Sequence, residues 1–507
     1  MRPDIFWIMT DEHRVDGVSA YGHGRCRTPN LDRLANDGVV FERAFCQAVA
    51  CVPSRNSMMT GRYPHGAGNL WYDKSPDAPY WMDRLQDEAG YFTANFGKEG
   101  HYRPRSAFRV SEMNRRTPGH RYAAEGWPSR LGEQFRHLEH ELGIIRRYTS
   151  GNPLILAGRN PLPAEKVAPA VLVDRGIEFI DHYHSDKPVL MRISMASPHT
   201  PVLPPEPYDR MYDPQDMDLP EDDVTDYRPS ALERHWFHPL CGVHDMTQDE
   251  IRTWRAHYFG LCTYIDDQIG RFLDHLRDNW KRPYLVMFCS DHGNALGEFG
   301  LSEKFNFTSM SRQVPFIIAG HGIPAGKRVH ELVELLDIGP TILHLLELDV
   351  ADGCYDGRNL LPLMNGTADN WRDAVFTEIG PWSPTRLDTT SLELIDTEIA
   401  GTSGNNAATF IQRRDEQVTG HEQDKLWRPL LQCVQDDDFT CMARAIWHEH
   451  QGDDPQGGLY DLKQDPLMAI NRFNDPDYAE VRARYLDKLQ TWHSSTAREG
   501  RDATLLL

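Results

Sequence analysis

The chain lacks long apolar segments and has fewer basic than acidic residues. In its 507 residues, no run approaches the about 18 consecutive apolar side chains that a membrane-spanning helix needs. Acidic residues number 75 and basic residues 54, and the formal net charge is −21. A field of that sign repels nucleic acid and anionic membranes, so we expect neither as a partner.

Cysteines are also few. The nine thiols are odd in number and do not have the spacing of a disulfide framework, which favours reduced cysteines over a disulfide scaffold. Residues 1–4 lead directly into an apolar segment without the charged and apolar regions of a signal peptide. These features predict a cytoplasmic protein.

Four short apolar segments are typical of buried strands, and each is followed by polar residues. Ligands of open α/β sheets collect at the carboxyl ends of the strands, so we expect these polar residues to form one site. The segments are 5–10, followed by Asp11; 91–96, followed by Lys98 and His101; 189–195, followed by His199; and 284–290, followed by Asp291 and His292.

Helical patterns lie between these segments and indicate an α/β core. Apolar residues recur at helical spacing over 251–280, and a shorter amphipathic turn contains Leu31 and Leu34. Gly38 is placed to end that shorter helix.

The chain divides into three parts by its apolar pattern. Residues 1–372 carry the strand and helix signals and predict a catalytic α/β domain. After them the periodicity weakens, and 373–493 predict a smaller α+β domain with a final helix near 477–492. Residues 494–507 are a tail that either frays or docks on a neighbouring subunit, and we expect a homo-oligomer.

One segment carries the most specific signal. Residues 51–62 read Cys-Val-Pro-Ser-Arg-Asn-Ser-Met-Met-Thr-Gly-Arg and resemble the type I sulfatase signature C-x-P-S-R-x-x-x-(L or M)-T-G. Four fixed residues would occur by chance in well under about 1% of chains of this length. A small buried cysteine before a helix would explain Pro53 but not Arg55.

The resemblance implies an enzyme whose Cys51 is oxidised to formylglycine by a maturation enzyme. A hydrated aldehyde has two hydroxyls on one carbon: one attacks sulfur and the other drives the release of sulfate, which a thiol cannot do. Arg55 can hold the second hydroxyl and the sulfate oxygens. The implied substrate is a small-molecule sulfate monoester, and the implied cofactors are formylglycine and one divalent metal ion.

The resemblance assigns further residues along the chain. Asp11 and Glu12 stand at the first metal-binding pair, although Glu12 departs from the usual Asp or Gln, and Asp291 and His292 stand at the second, with the residue-51 side chain completing the site. Oxygen ligands and one imidazole suit Mn²⁺, Zn²⁺ or Ca²⁺. The catalytic residues so implied, beside Cys51 and Arg55, are Lys98, His101, His199 and Lys304, and Asn69 faces the substrate.

Their implied roles follow from charge. Lys98 and Lys304 neutralise sulfuryl oxygens, and Lys304 or His199 protonates the leaving alcohol. His101 is the implied base for the second step, although two residues rather than the family's one separate it from Lys98.

The resemblance implies an alkaline-phosphatase-like fold, in which helices flank a large mixed sheet and a smaller C-terminal domain holds a short antiparallel sheet. Within that superfamily the alternative is a phosphonate monoester hydrolase or phosphodiesterase with the same formylglycine. Such relatives tend to carry other residues near Lys98 and Ser54, so both residues favour a sulfatase.

Two further alternatives concern the site itself. A binding protein that never oxidises Cys51 would have the same sequence motif and no activity. Trp71, Tyr72 and Trp382 could line a pocket for an aryl or quaternary ammonium group, or could belong to the core.

Overall fold

A computed structural model describes residues 2–71, 76–99, 108–112, 137–147, 154–219, 237, 241–243, 245–380, 430–444 and 457–497. Its strands are β1 (Asp4–Asp11), β2 (Gly38–Phe45), β3 (Phe92–Gly97), β4 (Val110–Glu112), β5 (Ile145–Arg147), β6 (Leu154–Ala157), β7 (Val189–Pro198), β8 (Tyr284–Ser290), β9 (Gln313–Val314), β10 (Phe316–Gly320), β11 (Lys327–Glu334), β12 (Val375–Ile379), β13 (Leu431–Gln435), β14 (Phe439–Arg444) and β15 (Gly458–Asp461).

The helices surround these strands. In chain order they are α1 (Pro29–Asn36), α2 (Cys51–Thr60), α3 (Pro64–Ala67), α4 (Trp81–Ala89), α5 (Ala168–His182), α6 (Gln248–Asn279), α7 (Ser309–Arg312), α8 (Ile338–Leu345), α9 (Leu361–Asn365) and α10 (Ala479–Thr496). Within the described ranges, none is long and apolar enough to cross a membrane.

A large mixed sheet forms the centre of the molecule. In the described part of the chain it has nine strands in the order β11-β2-β10-β8-β1-β7-β3-β4, with β9 paired to β2. The four predicted strands are the neighbours β8, β1, β7 and β3, and all three pairings between them are parallel. Their carboxyl ends therefore meet at one edge, where Thr10 lies opposite Ser290 and Gly97 opposite Ser194.

Alternation along β1 divides the core between the two faces of this sheet. Ile5, Trp7 and Met9 point into a cluster to which α2, α4 and α8 contribute. Phe6 and Ile8 point into a second cluster built with α1, α5 and α6. The predicted layered α/β architecture is confirmed.

The prediction that Gly38 ends α1 is wrong, because Gly38 belongs to the strand that follows the helix. Asp37 follows the helix, and Gly38 is the first residue of β2. A Cβ at position 38 would lie 2.2 Å from the carbonyl oxygen of Ile318. Close backbone approach between β2 and β10 therefore explains the glycine.

The smaller C-terminal sheet joins β12, β13, β14 and β15 in fully antiparallel order. Val434, Leu459 and Trp492 of this region share a cluster with Tyr63 and Leu336, so α10 and the small sheet pack against the large domain.

The predicted final helix is α10, and β12 begins just after the predicted boundary at 372. The domain limits and the homo-oligomer stay predictions, and tail residues 498–507 lie outside the described residues.

All nine cysteines lie in the described ranges and none forms a disulfide; eight are buried and Cys354 is exposed.

Candidate active site

Cys51 is the first residue of α2, where the backbone N–H groups of the first turn have no partner within the helix. Ala50 before it is extended, with φ −153°, and Gly61 ends the helix in the left-handed conformation, with φ 65°. Pro53 needs no hydrogen bond in the first turn. Every residue of the helix is buried, so the positive end of its dipole is shielded from water and acts on the Cys51 side chain.

Arg55 lies one turn further along α2 and holds two carboxylates. Its Nε donates to Asp291 Oδ2 at 2.6 Å, and its Nη2 donates to Asp11 Oδ2 at 3.0 Å. Nη1 donates to Ser194 Oγ at 2.9 Å. All of these side chains are fully buried. The guanidinium thus fixes the ends of β1, β7 and β8 relative to the nucleophile helix.

Lys98 follows β3 and reaches the same carboxylate. Its Nζ donates to Asp11 Oδ2 at 2.5 Å, and its backbone N–H donates to Ser194 O at 2.8 Å. Burial lowers the pKa of Lys98, but the charge of Asp11 outweighs it and the net pKa is raised. Lys98 therefore remains a cation beside Cys51.

A second group of side chains surrounds Glu12. Lys304 Nζ donates to Glu12 Oε1 at 2.6 Å, and Asn294 Nδ2 donates to Glu12 Oε2 at 2.7 Å. His199 Nε2 lies 3.3 Å from Glu12 Oε1 and contacts Lys304 Nζ. His199 Nδ1 donates to Thr200 O at 2.6 Å, which leaves Nε2 as the acceptor. Burial, and then the charge of Lys304, hold the pKa of His199 well below its usual range, so the imidazole is neutral.

Two buried atoms, one of Asp11 and one of His292, are placed to bind a cation. In the described residues neither Asp11 Oδ1 nor His292 Nε2 has a hydrogen-bond partner, and they are 4.0 Å apart. His292 Nε2 is also 3.8 Å from Asp291 Oδ1. His292 Nδ1 donates to Gly293 O at 3.0 Å, which directs Nε2 toward the carboxylates. Unpaired buried polar atoms are costly, and a shared divalent ion would satisfy all three side chains.

The electrostatic surroundings of Cys51 favour an anion. Burial raises the pKa of the thiol, but the charge of Lys98 and the neighbouring His292 imidazole outweigh it, and the net pKa is lowered. Burial likewise lowers the pKa of His292, while Asp291, Cys51 and Asp11 raise it to a net value of about 9. The site thus attracts positive charge between its carboxylates.

Three residues that hold this site together, Tyr258, Asn294 and Ser194, had no predicted role, and two of them fix Glu12. Glu12 has φ 61°, a strained conformation for a residue with a side chain. Tyr258 of α6 donates to Glu12 O at 2.6 Å and accepts from Arg14 N at 2.9 Å. Asn294 fixes the Glu12 carboxylate, and Ser194 orients Arg55. Asn294 directly follows the Asp291-His292-Gly293 motif, so its position in the sequence could have indicated a role in the site. Tyr258 is an ordinary core position of a helical pattern, and nothing in the sequence indicates such a role.

The structure brings together Asp11, Glu12, Cys51, Arg55, Lys98, His199, Asp291, His292 and Lys304. Their roles in catalysis and metal binding stay predictions. Asn69 lies beside α2: its Oδ1 accepts from Asn56 at 2.8 Å, and its Nδ2 donates to Trp71 O at 3.1 Å. Its contact with substrate stays a prediction. His101, Tyr72 and Trp382 lie outside the described residues.

Residues 3–348 match the family described as Sulfatase. That match spans more than half of the chain, so the chain belongs to the sulfatase family, within the alkaline phosphatase superfamily. The family predicted from the Cys51 segment is confirmed.

Particular relatives place the chain within that family. An arylsulfatase of Clostridium perfringens is 28% identical over 396 residues, which are 75% of this chain and 82% of the relative. A multifunctional alkaline phosphatase superfamily protein of Trinickia caryophylli, PehA, is 25% identical and matches 98% of this chain and 96% of its own length. The phosphonate monoester hydrolase of Agrobacterium radiobacter has the same fold, with a TM-score of 0.72 at 24% identity over 98% of this chain and 96% of that one.

Proposed function

We propose that the protein hydrolyses a sulfate monoester to an alcohol and inorganic sulfate, with formylglycine made from Cys51 as the nucleophile. The observation that carries the proposal is the position of Cys51. It begins a buried helix beside a cation-fitting pair of atoms, and Arg55 and Lys98 of the same site are both bonded to Asp11. A modified side chain there would meet a helix terminus and fixed positive charge, which stabilise developing anions.

The residues fit the divalent ion that the family implies. Asp11, Asp291 and His292 would hold it with the residue-51 side chain, and Mn²⁺, Zn²⁺ and Ca²⁺ all accept this ligand set. Such an ion would supply positive charge that favours deprotonation of the nucleophile. Glu12 belongs to the predicted ligand set, but its two oxygens accept hydrogen bonds from Lys304 and Asn294.

The chain's own cations bind and orient the sulfate group. Lys98 stands on the Asp11 side, and Lys304 with His199 stands on the Glu12 side. Burial lowers the pKa of Lys304, but Glu12 and the other anions nearby outweigh it and the net pKa is raised, so Lys304 stays a cation. Lys304, with neutral His199 in contact, is placed to give a proton to the leaving alcohol.

The second candidate is hydrolysis of phosphonate monoesters or phosphodiesters at the same site. The Asp291-His292 pair favours it, as does the likeness to a relative named multifunctional over nearly the whole chain. Lys98 argues for the sulfate ester: its ammonium group would serve as the donor to a third non-bridging oxygen, whereas a diester would need space for a second organic arm.

Mass spectrometry of one tryptic peptide tests the nucleophile. Trypsin releases residues 44–55, which contain both Cys46 and Cys51. Conversion of Cys51 lowers the peptide mass by about 18 Da and leaves one thiol to alkylate. Cys46 is the internal control, since fragment ions assign the change to one position. An unmodified Cys51 in a preparation that hydrolyses sulfate esters would refute the proposed nucleophile.

A further inference from the structure

Two aromatic side chains lie beside the proposed leaving-group residue and take no part in the chemistry described above. The rings of Trp71 and Phe305 are 5.5 Å apart and inclined by 45°. Both residues are partly exposed, and both pack on the core cluster that contains Cys51. They form a wall that reaches from the core to the surface, hereafter the Trp71–Phe305 wall.

Backbone hydrogen bonds fix this wall to the nucleophile segment. Phe305 N donates to Val49 O at 3.0 Å, two residues before Cys51. Asn69 holds the backbone of Trp71 at 3.1 Å and is itself held by Asn56 of α2. Lys304 Nζ lies 5.5 Å from the centre of the Phe305 ring. The wall is therefore continuous with the site at the end where the leaving alcohol would stand.

The backbone of this segment is strained. Glu303 has φ 52° and Phe305 has φ 69°, so residues on both sides of Lys304 adopt the left-handed region that favours glycine. Such strain persists where the surrounding structure requires a specific side-chain placement, as it does at ligand sites. Here the strained backbone sets the positions of the Lys304 ammonium group and the adjacent Phe305 ring.

We infer that the Trp71–Phe305 wall binds an aromatic leaving group, so that the preferred substrates are sulfate esters of phenols. This inference rests on the proposed function. Aromatic rings gain from stacked or edge-on contact with a second ring. A quaternary ammonium substrate is disfavoured, because the Lys304 ammonium already lies near the Phe305 ring and would repel a second cation. A sugar ring needs hydrogen-bonding partners, and beside the wall, within the described residues, the amides of Asn69 and Asn56 bond to each other.

Two esters whose alcohols have similar acidity test the inference without a leaving-group difference. Phenyl sulfate offers a ring and hexafluoroisopropyl sulfate does not. We expect kcat/KM for phenyl sulfate to exceed that for the fluorinated ester by about five-fold or more, the value of one good aromatic contact. Trp71→Leu should lower kcat/KM for phenyl sulfate by a similar factor and leave the aliphatic ester nearly unchanged. Trp371→Leu replaces another partly exposed tryptophan and should change neither.

Three results would overturn the inference, and they are distinguishable. Equal kcat/KM for the two esters, or an equal loss of both in Trp71→Leu, would show that the wall has no aromatic selectivity. Preference for choline sulfate over phenyl sulfate would assign the wall to a cation. Hydrolysis of a phosphodiester with neither sulfate ester turned over would remove the proposed function, and the inference with it.

Discussion

Arg55 joins the parts of the site at the scale of single residues. Its three nitrogens reach Asp11, Asp291 and Ser194 from one buried guanidinium. The resemblance implied that Arg55 would hold the second hydroxyl and the sulfate oxygens. In the structure its donors hold the carboxylates that would bind the metal, so Arg55 positions those ligands.

Replacement of Arg55 by Lys should therefore damage both stability and activity. An ammonium group cannot bridge two carboxylates in the planar manner of a guanidinium. Loss of one partner of a buried ion pair costs about 3–5 kcal/mol, and we expect the free energy of unfolding to fall by about 3 kcal/mol and kcat by about 100-fold or more. The measurements are denaturant unfolding and steady-state kinetics. Arg175→Lys, at a surface pair with Glu178, is the control; an Arg55→Lys enzyme as active and stable as this control would contradict the assignment.

Asp11 and Glu12 should differ in their effect on metal binding. Asp11 Oδ1 has no hydrogen-bond partner among the described residues, whereas both Glu12 oxygens are bonded to side chains. We expect Asp11→Asn to weaken metal affinity strongly and Glu12→Gln to weaken it less. Titration of metal into the chelator-treated protein measures both. Equal loss of affinity in the two variants would show that Glu12 binds the ion directly.

Residue identity was predictable from the sequence where the chemistry demands one side chain. Cys51 was recognised from its signature, and Asp11, Asp291, His292 and Lys98 were recognised as polar residues that follow predicted strands. The conformation of Glu12 was not predictable, because its positive φ depends on Tyr258 of a helix more than 240 positions away. The hydrogen bonds that Asn69 makes with Asn56 and with the backbone of Trp71 were not predictable either, because they depend on tertiary contacts.

At the scale of elements, four buried strands were predictable because parallel strands covered on both faces read as short apolar runs. Their common edge then followed from the rule for open sheets. The antiparallel insertion of β10 between β2 and β8 was not predictable, since β10 is a short apolar run with no signal of its direction. The glycine at position 38 was misread for the same reason: its neighbour, β10, was unknown.

The C-terminal ends of α2 and α4 allow a matched test of how tightly α2 is packed. Gly61 and Gly90 both end a helix with positive φ, at 65° and 73°. A Cβ at Gly61 would lie 2.6 Å from Tyr355 Cδ1, whereas a Cβ at Gly90 would meet nothing within 4 Å. Gly90→Ala should lower the free energy of unfolding by about 1 kcal/mol from backbone strain alone.

Gly61→Ala should lower the free energy of unfolding by a further about 1–3 kcal/mol, because the added methyl group overpacks the end of the nucleophile helix. Denaturant unfolding of the two variants in parallel measures the difference. Equal destabilisation would show that Tyr355 moves aside without cost and that the C-terminal end of α2 is loosely packed.

At the scale of the whole molecule, the net charge of −21 contrasts with the site. Arg55, Lys98 and Lys304 place three cations around Asp11 and Glu12. An anionic ester is repelled by the global field and attracted by this local group, so its capture should improve as salt screens the longer-range repulsion.

His257 should make global stability depend on pH. Burial lowers its pKa to about 4 in the folded protein, against an ordinary value of 6.5. Between these values the unfolded chain binds the proton and the folded chain does not, so the free energy of unfolding falls as pH decreases from 6.5 to 4, by up to about 3 kcal/mol.

Replacement of His257 by Gln should remove that contribution. Unfolding at pH near 7 and near 4.5 gives the pH-dependent loss of stability, which should be smaller in His257→Gln than in the wild type. The control is His275→Gln, because His275 lies on the same helix and hydrogen-bonds to Asp181 at the surface. An unchanged loss in His257→Gln would contradict a buried neutral histidine.

One comparison of substrates decides whether this site is built for a sulfate monoester. The measurement is kcat/KM for para-nitrophenyl sulfate against methyl para-nitrophenyl phosphate, which share a leaving group. We predict a higher value for the sulfate ester, measurable activity on the diester because the geometry is shared, and a smaller ratio in Lys98→Ala, which loses the cation at the third oxygen. A wild-type enzyme that prefers the diester, or a phosphonate monoester with the same leaving group, would contradict the sulfatase assignment and establish the second candidate in its place.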